Sequence, residues 1–167
     1  QPSHRANGTV RSTKANPPDR GATVTDATAL AAAIAEGRVS ATDVMEASLA
    51  ACQVQGALGA VVPLDEDLAR TGAAAADALP ADRRGPFHGV PFLVKDLGGV
   101  AKGLPQGAGS TAIRAEARRP EADSHLLHDL RRTGLIPFGI TATPPFGLSL
   151  TCEPEGLPPA RNPWNLD

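Results

Sequence analysis

The sequence predicts an α/β fold, and three observations predict it. Three short runs rich in β-branched or aromatic residues, 58–63 (LGAVVP), 89–94 (GVPFLV) and 135–140 (LIPFGI), are punctuated by Gly and Pro. The segments before and between them carry helix caps, with apolar residues three and four apart. Strand and helix signals therefore alternate, as they do where helices pack on a sheet.

Residues 1–21 are polar, rich in Pro, Ser, Asn and Arg, and lack apolar periodicity. They are expected to form a disordered arm, with residues 22–167 as the folded part. Thr25 or Asp26 can cap a first helix through Leu30 and Ile34, which Gly37 stops. Ser40 opens a second helix, with Asp43 at the capping-box position and an apolar stripe of Met45, Leu49 and Cys52. After the first strand run, residues 65–79 begin acidic and continue Ala-rich, a third helix ended by Pro80.

The run 89–94 reads as a buried strand. Pro91 stands near its start, where a missing N–H is tolerated, and the charged pair Lys95-Asp96 closes it. Residues 98–110 read as a glycine-rich connection, and Arg114, Arg118 and Arg119 as a solvated loop. Residues 120–133 form a further helix, with Asp123 as its cap, a Leu126, Leu127 and Leu130 stripe, and Arg131 and Arg132 in its last turn. Gly134 stops it ahead of the last strand, and little regular structure is expected from Thr141 onward.

Composition narrows the function. The length suits one domain, and 16 Lys+Arg against 18 Asp+Glu leave a net charge of −2. That balance argues against a broad basic face for nucleic acid. Cys52 and Cys152 lie far apart and form no CxxC pair, so a reducing, cytoplasmic setting is expected. No apolar run approaches the roughly 18 residues of a membrane span, and residues 1–21 hold no apolar signal segment. The sole Met is Met45, so the sequence does not open on an initiator. Only 4 Phe and 1 Trp are present, all between Phe87 and Trp164, a thin aromatic inventory for a self-contained core.

Lys95 is the most informative chemical position. A lysine at the end of a strand as apolar as VPFLV is expected to be partly desolvated, which favours the neutral amine and makes a general base. The alternative is that Lys95 pairs with Asp96 or extends into solvent. His125 and His128 share a helix face but have no third ligand at useful spacing, so no metal is expected. The glycine-rich stretch lacks both GxxxxGK[ST] and GxGxxG, so no phosphate-binding cofactor is expected. Cys152 has no activating neighbour in sequence and reads as a small half-buried residue. Ser110, Thr111, Ser149 and Thr151 stand on no GxSxG elbow and in no Gly-Ser-Ser cluster.

Four segments together resemble the amidase signature family. They are GPFHGVPFLVKD (85–96), GAGS (107–110), the helix–strand unit PEADSHLLHDLRRTGLIPFG (120–139) and FGLSLTCEPEG with ARNPWN (146–165). The helices and strand upstream are similar to the family's N-terminal part. The resemblance implies an α/β/α fold around a mixed central sheet and hydrolysis of a small-molecule carboxamide by a Ser–cis-Ser–Lys triad. It also implies that no cofactor or metal takes part. Lys95 matches the family's catalytic lysine, which acts through a cis-configured bridging serine on the nucleophilic serine; backbone N–H groups then hold the oxyanion.

The family's first Gly/Ser-rich cluster normally follows the Arg-Asn-Pro-Trp-Asn segment by a few residues. The resemblance therefore implies an N-terminal portion of an amidase that lacks both serines and hydrolyses no amide alone. The alternatives are a non-catalytic truncated protein or one half of a split enzyme. The family commonly carries Lys-Thr-Asn-Thr-Pro-Glu-Phe where this sequence has Ile140-Thr141-Ala142-Thr143-Pro144-Pro145-Phe146. Lys95-Asp96-Leu97 differs from the Lys-Asp-Asn of the tRNA-amidotransferase branch and points towards general amidases, including those acting on nylon-related oligoamides.

Overall fold

The computed structural model describes residues 26–165; the arm expected over 1–21 lies outside them. Asp26 caps α1 (Ala27–Ala35) by accepting the Ala29 N–H, and Gly37 ends that helix region at φ +70°. Ser40 and Asp43 form the expected reciprocal capping box at the start of α2 (Ala41–Val54). The first strand begins later than its apolar run suggested. Residues Gly56–Leu58 form a single 3-10 turn, and β1 is Val61–Leu64. Asp65 caps α3 (Glu66–Asp77) through the Leu68 N–H.

Asp77, at the far end of α3, clips the two helices together. Its carboxylate accepts the Ala41 N–H at 2.7 Å, the Thr42 N–H at 3.1 Å and the Thr42 hydroxyl at 2.6 Å. The two N–H groups are first-turn donors that have no partner within α2. Although partial burial raises the Asp77 carboxyl, those hydrogen bonds outweigh it and hold the group below the usual carboxylate range.

The second half supplies β2 (Pro91–Lys95), α4 (Thr111–Glu116), α5 (His125–Arg132) and β3 (Ile136–Thr141). The short helix α4 occupies a stretch expected to be loop. Ser124, not Asp123, caps α5; Asp123 instead accepts the Lys102 N–H at 2.7 Å and pairs with Arg131 Nε at 2.8 Å. Leu127 is the buried member of the α5 stripe at 1% exposure, whereas Leu126 is 56% exposed. Adjacent residues on a helix do not share a face, so turning Leu127 into the core leaves Leu126 outside it.

The sheet order is β1-β3-β2, with β1 antiparallel and β2 parallel to the central β3. The mixed sheet expected from the sequence is therefore present. Central β3 contains Pro137, which cannot donate a ladder hydrogen bond, and it stands beside a register shift. Phe92 pairs with Pro137 and Leu93 with Gly139, so Phe138 is the extra residue of a bulge.

The bulge reverses side-chain parity. Ile136 and Phe138 pack on one face with Met45 and Leu49 of α2 and Ala69 and Ala73 of α3. Ile140 packs on the other with Val94, Ala101, Leu104 and Leu127. One strand thus serves two cores. A third cluster, Ala31, Ile34 and Val90, seats α1 at the end of the sheet where β2 begins. No helix among the described residues is long and apolar enough to cross a membrane.

Candidate active site

Parallel β2 and β3 end together, with Lys95 opposite Thr141, so Lys95 stands at the carboxyl edge of these two strands. Along β2 the side chains alternate: Leu93 packs with the α2/α3 core, and Phe92 and Val94 with the α5 core. The same alternation sends Lys95 to the face of Leu93 and Asp96 to the face of Val94.

Lys95 is exposed. The desolvation expected from its apolar strand is therefore not found in this structure. The physical reason is that burial in a strand belongs to faces and not to runs. The cleft beside Leu93, of about 220 Å³ and lined also by Ala51, Cys52, Gln55, Leu58 and Val61, does not include Lys95. Nor does Lys95 pair with its neighbour, because the Asp96 carboxylate is engaged elsewhere.

Asp96 is the buried charge of the site, at 1% exposure. Its Oδ1 accepts the Gly107 N–H at 2.8 Å, and its Oδ2 accepts the Gly109 N–H at 2.7 Å. Arg114 Nη2 donates to Oδ2 at 2.6 Å. Such a carboxylate is tolerable in the interior only because both of its oxygens meet donors. Arg114, expected on a solvated loop, has a side chain only 16% exposed, and its Nη1 also donates to the Val62 carbonyl at 3.0 Å. Helix α4, with Ser110 as its cap, turns the guanidinium inward.

Gln106 completes the link to Lys95. Its Nε2 lies between two carbonyls, donating to Lys95 O at 3.1 Å and to Gly99 O. The turn that follows is too tight for side chains. A Cβ at Gly107 would stand 2.6 Å from the Ser110 carbonyl oxygen, and one at Gly109 (φ +77°) would stand 2.5 Å from that of Thr143. Among the described residues, Arg114 Nε and the Thr143 hydroxyl, itself on a residue 2% exposed, are buried polar atoms without a hydrogen-bond partner.

The segment pattern identified in the sequence thus forms one connected edge: 85–96 supplies the strand and its two charges, and 107–110 supplies the turn that holds them. A family model described as Amidase matches residues 43–167.

The chain belongs to the amidase signature family.

Among amidase signature proteins, the 6-aminohexanoate-cyclic-dimer hydrolase of Paenarthrobacter ureafaciens is 36% identical over 143 residues, covering 84% of this chain and 27% of that protein. A component of the glutamyl-tRNA(Gln) amidotransferase of Anaeromyxobacter dehalogenans (strain 2CP-C) is 38% identical over 138 residues, covering 81% of this chain and 27% of that protein. A solved structure of 6-aminohexanoate cyclic dimer hydrolase aligns with a TM-score of 0.75 at 33% identity, over 85% of this chain and 28% of that one. The chain therefore spans between a quarter and a third of the length of these relatives.

The other sequence candidates are not brought to this edge as a reactive group. Ser110 is the cap of α4, accepting the Ile113 N–H. Ser149 and Thr151 contact each other at the exposed surface. Cys52 and Cys152 are free and half-buried, and burial raises both thiols above their ordinary value, which disfavours a nucleophilic thiolate. Asp96, Gln106 and Arg114 carry the site's framework, and sequence reasoning gives none of them that part. The available signal is a carboxylate directly following a buried strand, which requires donors from elsewhere in the fold.

Proposed function

We propose that this chain carries the lysine base of an amide hydrolase that cleaves a carboxamide C–N bond by the Ser–cis-Ser–Lys mechanism of amidase signature enzymes. Lys95 is that base. The observation that carries the reading is the combined position of Lys95: it ends β2 at the carboxyl edge, its amine pairs with no carboxylate among the described residues, and its carbonyl is anchored to the glycine turn. An amine uncommitted to a carboxylate at such an edge is available for proton transfer.

In the proposed reaction the neutral Lys95 amine takes a proton from the bridging serine, which takes that of the nucleophilic serine. The serine oxygen bonds to the carbonyl carbon, the C–N bond breaks, and the leaving nitrogen receives the proton. Water then hydrolyses the acyl-enzyme by the same relay. The family resemblance puts the two triad serines in a Gly/Ser-rich cluster after the Arg-Asn-Pro-Trp-Asn segment and in a later glycine-rich loop, and the 167 residues hold no Gly-Ser-Ser cluster. Both triad serines are therefore assigned to polypeptide outside this sequence, and the 167 residues alone should hydrolyse no amide.

The substrate class we favour is a small linear or cyclic amide, on the strength of the Lys95-Asp96-Leu97 sequence and the similarity to a cyclic-dimer hydrolase. Two free cysteines accord with a cytoplasmic setting.

The test is a chimera in which this chain replaces the matching stretch of the 6-aminohexanoate-cyclic-dimer hydrolase, assayed for amine release. The chimera should turn over amide, and Lys95→Ala should lower kcat by about a thousandfold. Full activity in Lys95→Ala, or turnover by the 167 residues alone, overturns the reading.

A further inference from the structure

The geometry points to Asp96 as a positioning residue: its carboxylate locks the 106–109 turn against the end of β2 and so fixes where Lys95 presents its amine. The inference rests on the reading of Lys95 as the base, and it assigns to Asp96 a role other than charge partner of that lysine.

Consecutive residues are gripped from one turn. Gln106 holds the Lys95 carbonyl, and two backbone donors of the turn, the Gly107 and Gly109 N–H groups, hold the two oxygens of Asp96 separately. The Asp96 N–H donates in turn to the Thr141 carbonyl at 3.3 Å, tying the same residue to β3. Arg114 bridges Asp96 Oδ2 to the Val62 carbonyl of β1. Asp96 therefore joins the glycine turn and α4 through its carboxylate, β1 through Arg114, and β3 through its own N–H, at the edge where Lys95 stands.

The chemistry of the arrangement requires a carboxylate. The two N–H groups bind different oxygens, and a guanidinium shares one of them. An amide side chain has only one acceptor oxygen and would turn N–H donors against one of these partners. With the turn released, the Lys95 backbone loses its Gln106 anchor, and its amine is no longer held where proton transfer needs it.

Two measurements test this. In the full chain, Asp96→Asn should speed amide exchange of Gly107 and Gly109 at least about tenfold, with Met45 and Leu49 of α2 within about threefold. Unchanged glycine exchange overturns the lock. In the hydrolase chimera, Asp96→Asn should lower kcat by about a hundredfold with KM within about threefold, and should add little to the loss already caused by Lys95→Ala. A loss that multiplies in full on top of Lys95→Ala overturns positioning of that lysine, because Asp96 would then act through another group. Lys95→Ala at full activity instead overturns the base reading and leaves the exchange result to decide the lock by itself.

Discussion

Arg114 Nη2 and Asp96 Oδ2 meet at 2.6 Å across eighteen residues of sequence, with the Asp96 side chain fully buried and that of Arg114 16% exposed. Other ion pairs among the described residues, such as Arg38–Glu36 and Arg70–Glu46, join groups about half exposed to solvent. Screening makes those surface pairs worth little, whereas a buried carboxylate stripped of its partner remains as an uncompensated charge.

Arg114→Met is therefore expected to destabilise the chain by about 3 kcal/mol, because it strands the Asp96 carboxylate and frees the Val62 carbonyl. Arg38→Met, in contrast, should change stability by less than about 1 kcal/mol. Urea unfolding of the two variants beside the parent makes the comparison. Equal midpoints for both variants would show that the buried pair carries no special weight.

Gly109→Ala should cost more than the same change at Gly37. Both glycines have positive φ, but a methyl at Gly37 meets open space while one at Gly109 meets the Thr143 and Pro144 backbone. The strain at Gly37 alone is of order 1 kcal/mol, and Gly109→Ala should exceed it clearly. Thermal unfolding ranks the pair, and a smaller effect at Gly109 contradicts the close approach.

Lys95→Ala should leave stability within about 0.5 kcal/mol of the parent, since the side chain is exposed and pairs with no carboxylate among the described residues. Loss of hydrolysis in the hydrolase chimera, without loss of stability in the chain, is the pattern expected of the proposed base. A substantial drop in unfolding free energy would assign Lys95 a structural role instead.

His88 should make the chain less stable in mild acid. The residue is 7% exposed, with Nε2 3.0 Å from the Ala76 carbonyl. Burial, aided by Arg84, pushes its pKa below the ordinary 6.5, against the opposing pull of the Ala76 carbonyl and Asp77. The unfolded chain therefore binds the proton more readily, so this contribution is present above about pH 6.5 and lost as pH falls below it. A melting temperature that falls from about pH 7 to about pH 5, with a shallower slope in His88→Gln, is the expected result. Asp65 and Asp77 act lower on the scale. Each is held below the usual carboxylate range by its hydrogen bonds despite partial burial, so their contributions persist above about pH 4 and disappear as pH falls through their folded values.

Asp77→Ala should separate α2 from α3 at one end and cost about 1 to 2 kcal/mol, the scale of a lost helix cap. Amide exchange at Ala41 and Thr42 locates the effect. If those two amides stay protected, the clip between the helices is not what Asp77 provides.

The sequence by itself determined the alternation of helices and strands, the Ser40–Asp43 capping box, the stops at Gly37 and Gly134, and the segments by which the family is known. Each depends on contacts within a few residues, or on backbone conformations that only certain side chains adopt, so a local reading captures them. Only the tertiary structure decided the rest. The bulge at Phe138 gives β3 two opposite cores, and it is visible only once the strand lies in register with β2. Lys95 ends an apolar run yet is exposed, because burial depends on what covers each face of a strand. Arg114 reads locally as a solvated charge, and only α4 turns it onto Asp96. A buried charge must find its partners wherever the fold brings donors, and those came from the turn at 107–109 and from α4, a distance in sequence that no local pattern spans.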